Sequence, residues 1–193
     1  MTRLFLVRHG PTHAKVMVGW SDLPADLSDT AALSRLSAHL PQTGLVVSSD
    51  LCRATATADA VQGSRTRLPH DPNLREINFG AWELRSHSEI ESQSPDLIRA
   101  YWDHPGDVRP PGGESWHQVC ARVDRAIDAL IAAHRGRDLI VVAHFGVILT
   151  QIQRALRLDT HAVFAQRIDN LSVTQLTFLP DGHWHEGRIN HVL

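Results

Sequence analysis

The stretch LFLVRHGPT, residues 4–12, passes abruptly from four apolar residues to an arginine and a histidine. A short, continuous apolar run is typical of a β-strand that is buried on both faces, as in a parallel sheet. Two similar runs follow at residues 45–47 and 139–143. Arg8 and His9 therefore come directly after the first predicted strand, which is where open α/β sheets bind their ligands.

The segments between these runs have the spacing of amphipathic helices. The longest covers residues 115–134, where the apolar side chains recur on one helical face. Ser115 and Gln118 predict a capping box at its start. Three shorter helices are predicted over residues 29–40, 51–61 and 145–156.

Strands that alternate with helices predict an α/β fold, here a three-layer α/β/α sandwich around a mostly parallel central sheet. Residues 170–179 alternate in hydrophobicity and predict a further strand, antiparallel at an edge. Residues 69–113 are richer in proline, glycine and polar residues, and we expect them to form an excursion that covers the active site, with short helices over 86–92 and 95–102. At this length we expect one domain over residues 1–193.

The overall charge and composition indicate which partners the protein can bind and where in the cell it is expected. A formal charge of −2 offers no general attraction to nucleic acid or to an anionic membrane. No run approaches the ~20 apolar residues of a membrane span, and the apolar start is too short for a signal peptide. We therefore expect a cytoplasmic protein. The two cysteines, Cys52 and Cys120, form no disulfide framework.

Three predicted strands bring basic side chains to one edge of the sheet. Arg8 and His9 follow the first strand, Arg53 begins the helix after the second, and His144 follows the third. Arginine suits phosphate because its planar fork donates two parallel hydrogen bonds and stays charged. A histidine beside such an anion can be a nucleophile, a general acid or a charge partner. Glu76 lies among apolar neighbours, where burial would raise its pKa toward that of a proton donor.

These residues resemble the motifs of the histidine phosphatase superfamily, in its phosphoglycerate-mutase-like branch. The resemblance covers nearly the whole chain, and the blocks come in the family's order, at residues 6–12, 48–58, 74–83, 112–115, 142–146 and 170–174. It implies a phosphoglycerate-mutase-like fold and a phosphatase that needs no metal and no cofactor. Its substrate would be a phosphorylated small molecule, for example a sugar phosphate, a nucleotide or α-ribazole phosphate.

The resemblance also implies a role for each site residue. His9 would attack phosphorus and become a phosphohistidine. Arg8, Arg53 and His144 would hold the phosphoryl oxygens, while Glu76 would protonate the leaving oxygen and then help to activate water. The other ring nitrogen of His9 should donate to an acceptor, and we expect a backbone carbonyl. The oligomeric state stays open, a homodimer included.

Four positions depart from the family pattern. Pro11 stands where glutamate or glutamine is common, and Lys15 stands where an asparagine often lies near the phosphate. Lys15 could still meet an anion, as a flexible point charge. Leu84 replaces a glycine, so we expect that loop to run differently. Phe145 replaces the glycine after the second histidine, and we expect its ring to narrow the substrate pocket.

Three alternatives stay open. A phosphoglycerate mutase would use the same residues, although such mutases tend to be longer than this chain. A non-catalytic member of the family would bind phosphorylated ligands without turnover. A metal hydrolase is suggested by the 13 histidines, and His9 and His13 have i, i+4 spacing. However, Pro11 between them argues against a helix, and Arg8 would repel a cation.

Overall fold

A six-stranded sheet lies at the centre of the computed structural model, which describes residues 1–193. The strands are β1 (Thr2–Arg8), β2 (Leu45–Ser48), β3 (Thr66–Arg67), β4 (Asp138–Ala143), β5 (Val173–Phe178) and β6 (Trp184–Glu186). Their order across the sheet is β3-β2-β4-β1-β5-β6. Neighbours among the first four strands in that order are parallel, while β5 runs antiparallel to β1 and to β6. The predicted, mostly parallel sheet is confirmed.

Seven helices surround the sheet. They are α1 (Thr30–His39), α2 (Cys52–Gln62), α3 (His87–Gln93), α4 (Pro95–Asp103), α5 (Trp116–Ala133), α6 (Phe145–Leu156) and α7 (Thr160–Phe164). The capping box at Ser115 and Gln118 forms as predicted. Two 3-10 turns, Pro72–Leu74 and Gly80–Trp82, precede α3 and α4 within residues 69–113. No helix combines the length and the apolar character that crossing a lipid bilayer requires.

Alternate residues of each central strand face two separate apolar cores. In β1, Leu4 and Leu6 belong to a core of 27 buried residues that includes α5 and α6. Phe5 and Val7 belong to a core of 11 residues that includes α1 and α2. Because side chains alternate along a strand, these continuous apolar runs supply both cores at once. The three-layer arrangement is therefore confirmed.

Strand register brings three strand ends together. Arg8, the last residue of β1, lies opposite Ala143, the last residue of β4. The next residue, His9, donates its N–H to the Ala143 carbonyl at 3.0 Å. Ser49, just after β2, likewise donates its N–H to the Val142 carbonyl at 3.3 Å. The carboxyl ends of β1, β2 and β4 thus meet at one rim.

The predicted strand over residues 170–179 is antiparallel, but its place at an edge is wrong. The short β6 pairs with β5 on the side away from β1 and forms the actual edge. Gly182, with φ of 86°, lies in the turn between the two strands. Three residues are too few to show alternation, which is why this strand was missed. His185 lies exposed in β6.

Arg65, just after α2, joins the ends of two helices. Its side chain bonds mainly to buried and partly buried backbone carbonyls, and the residue is 4% exposed. It donates at 2.6–3.1 Å to the carbonyls of Ser37, Leu40, Pro41, Val61 and Gln62. Carbonyls at helix C-termini lack intrahelical donors and carry partial negative charge. One guanidinium therefore caps both α1 and α2.

Replacing Arg65 with methionine should lower the free energy of unfolding by about 3 kcal/mol, because several buried carbonyls would lose their donor. For a chain of this size, that loss corresponds to a fall in Tm of roughly 6–12 °C. Thermal unfolding followed by circular dichroism measures it. Arg35→Met is the matched control, since Arg35 is exposed on α1. Equal losses in the two variants would contradict this account.

Candidate active site

His9 is the buried histidine at the end of β1, and it is 6% exposed. Its Nδ1–H donates to the Gly10 carbonyl at 2.6 Å, so the predicted backbone acceptor belongs to the next residue. Nε2 in turn accepts from Nε–H of Arg53 at 3.3 Å. Burial, and then the positive charges of Arg53 and Arg8, lower the His9 pKa to about 3. The ring is therefore neutral, with the lone pair on Nε2.

Two side chains fix the loop that carries His9. Asn170 Nδ2 donates to the His9 carbonyl at 2.8 Å. Thr57 Oγ1 accepts from the Gly10 N–H at 3.0 Å and donates to the Arg53 carbonyl at 2.7 Å. Both residues lie within the motif blocks, but no role was predicted for either of them from the sequence. They tie α2 and the segment just before β5 to the backbone around His9.

Arg53, in the first turn of α2, is 1% exposed. Its Nη1 donates to the Ser21 carbonyl at 2.8 Å, and its Nη2 donates to the Gly19 carbonyl at 2.5 Å. No carboxylate forms an ion pair with this guanidinium. Burial lowers the pKa of Arg53. Neutral acceptors orient the group without neutralising it, so its charge stays available to an anion.

Arg8 and Phe145 contact each other across the rim. The Arg8 guanidinium lies over the Phe145 ring, with its carbon 5.4 Å from the ring centre, which is cation–π geometry. Its Nη1 donates to the Ile168 carbonyl at 2.6 Å. Its buried Nε has no hydrogen-bond partner in the protein. The Phe145 ring therefore orients Arg8, and the predicted narrowing of the pocket stays a prediction.

Replacing Phe145 with leucine should weaken binding of inorganic phosphate about 2- to 30-fold, because a cation–π contact contributes about 0.5–2 kcal/mol, depending on its exposure to solvent. The measurement is isothermal titration calorimetry with inorganic phosphate. Phe145→Tyr keeps the ring and should bind phosphate like the wild type. If leucine bound phosphate as tightly as phenylalanine does, the contact would have no part in orienting Arg8.

His144 is fully buried at the start of α6. Its ring centre lies 5.0 Å from that of His9, and Ser49 Oγ lies 2.6 Å from its Nε2. When Ser49 donates to Nε2, the ring proton sits on Nδ1, which has no partner in the protein. Burial, then the nearby His9 and the arginines, lower the His144 pKa well below its ordinary value. In that tautomer the site holds one more unused donor.

Glu76 faces the N-terminus of α6. Its Oε1 accepts from the Gly146 N–H at 2.9 Å and from the Ile77 N–H at 3.0 Å, and it is 7% exposed. Burial raises its pKa and outweighs both the N–H donors and the charges of Arg53 and Arg8. A Cβ on Gly146 would lie 2.4 Å from Glu76 Oε1. A side chain at position 146 would therefore displace the carboxyl group.

The segment that carries Glu76 is held from α5. Arg122 donates at 2.7 Å to each carboxylate oxygen of Glu114. It also donates to the Asn73, Arg75 and Glu76 carbonyls at 2.8–3.2 Å. The motif block at residues 112–115 thus contributes an ion pair that positions the acid segment.

Other candidate positions lie apart from this cluster. Lys15 is exposed, and no hydrogen bond or ion pair joins it to the cluster, so its role stays a prediction. Leu84 has φ of 59°, the left-handed conformation that favours glycine. His13 is exposed and contacts Asp26 at 2.8 Å, whereas His9 is buried. No group of three or more His, Cys, Asp or Glu side chains is arranged to hold a metal ion.

The structure thus brings together His9, Arg8, Arg53, His144 and Glu76. The cluster has a neutral imidazole whose Nε2 lone pair faces Arg53, one buried and one partly buried arginine, unused N–H donors and a carboxyl group with a raised pKa. Fixed positive charge around an anion stabilises phosphoryl transfer, and a nucleophile can form a covalent intermediate. This arrangement is suited to a tetrahedral phosphoryl group.

Comparisons with known proteins agree on one family. The model of the histidine phosphatase superfamily (branch 1) matches residues 4–191. An adenosylcobalamin/alpha-ribazole phosphatase of Salmonella typhimurium is 32% identical over 174 residues, covering 86% of each chain. The solved structure of YhfR from Bacillus stearothermophilus superposes with a TM-score of 0.91 at 27% identity, covering 100% of this chain and 98% of that one.

The first curated relatives are longer than this chain. A bifunctional protein of Mycobacterium tuberculosis is 31% identical over 195 residues, which cover 94% of this chain but 51% of the relative. The chain therefore spans about half the length of those relatives.

Proposed function

The chain belongs to the histidine phosphatase superfamily, and on this basis we propose that it hydrolyses a phosphomonoester of a small molecule through a phosphohistidine on His9. The observation that carries the proposal is the fixed orientation of His9. Its Nδ1–H is bonded to the Gly10 carbonyl, and its Nε2 faces Arg53. A neutral imidazole with one nitrogen so held can attack phosphorus only through the other.

In the first step, Nε2 of His9 attacks phosphorus, and the bond from phosphorus to the leaving oxygen breaks. Arg8, Arg53 and His144 donate to the phosphoryl oxygens. The leaving oxygen takes the proton of Glu76, whose raised pKa suits it to that transfer. The phosphorylated imidazole ring becomes positively charged, and its Nδ1–H bond to the Gly10 carbonyl stabilises that charge.

In the second step, ionised Glu76 takes a proton from water, and the oxygen of that water attacks phosphorus. The bond between phosphorus and Nε2 breaks, which returns neutral His9 and releases inorganic phosphate. Splitting the reaction in this way replaces one difficult displacement by two easier ones. No step requires a metal or an organic cofactor.

The test combines turnover with trapping of the intermediate. The protein should release phosphate from p-nitrophenyl phosphate in the presence of a chelator. A reaction quenched in alkali should carry phosphorus on His9, as an adduct that is stable to alkali and labile to acid. A panel of sugar phosphates, nucleotides and α-ribazole phosphate would then identify the substrate class. Absence of turnover on the whole panel would favour a protein that only binds phosphorylated ligands.

A mutase would be recognised in the same experiment. It would move phosphate between the 2- and 3-positions of glycerate faster than it releases inorganic phosphate. Release that exceeds exchange is the result we expect. A cytoplasmic location, a single domain over residues 1–193 and the covering role of residues 69–113 stay predictions, and the oligomeric state stays open.

A further inference from the structure

Glu83 is a half-buried carboxylate that forms no ion pair. It follows the 3-10 turn Gly80–Trp82, within residues 69–113. Five donors converge on it at 2.6–3.1 Å. Burial alone would raise its pKa, but the donors from Ser21, Trp20 and Gly19 hold that pKa below its ordinary value. Glu83 is therefore ionised, and backbone N–H groups supply most of its partners.

The donors come chiefly from one loop. Oε2 of Glu83 accepts from the Gly19 N–H at 3.1 Å, the Ser21 N–H at 3.1 Å and the Ser21 hydroxyl at 2.6 Å. Oε1 accepts from the Trp20 N–H at 2.8 Å and the Phe79 N–H at 3.1 Å. Three consecutive residues thus direct their N–H groups at one carboxylate, which is an anion-binding arrangement built from backbone.

The same loop holds Arg53. The carbonyls of Gly19 and Ser21 accept from the two terminal nitrogens of Arg53. The third nitrogen of Arg53, Nε, donates to Nε2 of His9. Residues 19 and 21 therefore bond to Glu83 through their N–H groups and to Arg53 through their carbonyls. A short chain of hydrogen bonds leads from the Glu83 carboxylate to the proposed nucleophile.

We propose that Glu83 is a positioning residue for phosphoryl transfer, which acts through the loop of residues 19–21 on Arg53. This inference rests on the proposed function, because Arg53 matters only if it faces a phosphoryl group. The loop also packs closely at Gly19. A Cβ on Gly19 would lie 1.9 Å from the Ile77 carbonyl and 2.5 Å from Glu83 Oε1. The backbone is therefore packed directly against the acid segment.

A carboxylate is the group that the five donors require. It has two oxygens and no hydrogen, so each donor finds an acceptor. Glutamine has the same shape but replaces one oxygen by an NH2 group. If the NH2 group takes the place of Oε2, its hydrogens face the N–H groups of Gly19 and Ser21. If it takes the place of Oε1, they face the N–H groups of Trp20 and Phe79. Either orientation breaks at least two of the five bonds, and at least one of them is a bond to the loop of residues 19–21.

The test is a double-mutant cycle between Glu83→Gln and Arg53→Ala. With Arg53 present, Glu83→Gln should lower kcat about 10- to 100-fold, a range seen when reacting groups are misplaced by about 1 Å, and should change KM less than kcat. In the Arg53→Ala background, the same change should lower kcat less than about 2-fold. Glu89→Gln is the matched control, since Glu89 accepts from Ser86 in the same stretch but has no link to Arg53.

Binding of orthovanadate, measured by calorimetry, gives a second cycle that needs no turnover. Glu83→Gln should weaken that binding about 10-fold with Arg53 present and hardly at all without it. If the wild type hydrolysed no phosphomonoester but this cycle held, the proposed function would fail and the positioning role would stand. Equal effects of Glu83→Gln with and without Arg53, or no effect on either readout, would overturn the role. Thermal unfolding of each variant identifies temperatures at which all are folded.

Discussion

Replacing His9 with alanine should lower kcat for p-nitrophenyl phosphate by about 10⁴-fold or more, and no phosphohistidine should be trapped. Losses of this size follow when a covalent nucleophile is removed. The reason lies in the geometry. Nε2 of His9 is the nitrogen that Arg53 faces, and the other ring nitrogen is engaged by the Gly10 carbonyl. No other imidazole of the cluster has the same orientation, since His144 Nε2 is engaged by Ser49.

Two measurements make the His9 prediction specific. His13→Ala is the matched control, because His13 follows in the same loop but is exposed beside Asp26; it should keep wild-type kcat. The His9→Ala protein should still bind inorganic phosphate, since Arg8, Arg53 and His144 remain. Wild-type turnover in His9→Ala would rule out the proposed nucleophile.

The site residues that were predictable from sequence are those that directly follow the ends of strands. Apolar runs located β1, β2 and β4, and parallel strands place their carboxyl ends on one edge. His9, Arg53 and His144 follow those strands, so their convergence was predictable. Glu76 was predictable only as a carboxylate among apolar neighbours. Its contact with the N-terminus of α6 depends on how two distant segments pack.

The rest depends on contacts to backbone, which leave little trace in a sequence. Arg65 bonds to carbonyls of two helix ends, and Arg53 bonds to carbonyls of residues 19 and 21. Any residue type can supply a carbonyl, so no pattern identifies these partners. The same holds for Glu83, whose partners are mainly backbone N–H groups, because almost any residue type can supply an N–H group. β6 was missed for another reason, since three residues are too few for periodicity.

Carboxylate partners distinguish three structural arginines from the two arginines of the site. Arg3, Arg75 and Arg122 each form a bidentate pair with a carboxylate. Their charges are neutralised locally, and they join segments of the fold. Arg8 and Arg53 are instead held by carbonyls. Because a carbonyl orients a guanidinium without cancelling its charge, these two arginines keep their charge for a phosphoryl group.

Replacing Glu76 with glutamine should slow phosphoenzyme formation about 10²- to 10⁴-fold for alkyl phosphates, since that is the range of general acid catalysis. The effect should be much smaller for p-nitrophenyl phosphate, because p-nitrophenolate leaves without needing a proton. Glutamine keeps the size of the side chain and an acceptor for the Gly146 N–H, but it has no acidic proton. Rapid-quench measurement of the phosphohistidine formed in the first turnover tests this difference.

The role of Glu76 as an acid also predicts how the effect of Glu76→Gln changes with pH. Burial raises the Glu76 pKa, so the proton stays on the carboxyl group beyond the ordinary carboxyl range and is lost as the pH rises through that raised value. The rate of wild type relative to Glu76→Gln should therefore be high at acidic pH and fall as the pH rises. Titration of the substrate phosphate cancels in this ratio, and His9, with a pKa of about 3, stays neutral from mildly acidic pH upward. If this ratio rose with pH, Glu76 would act as a base in the first step and not as an acid. If the ratio were the same for alkyl phosphates and p-nitrophenyl phosphate, Glu76 would not be the residue that protonates the leaving oxygen.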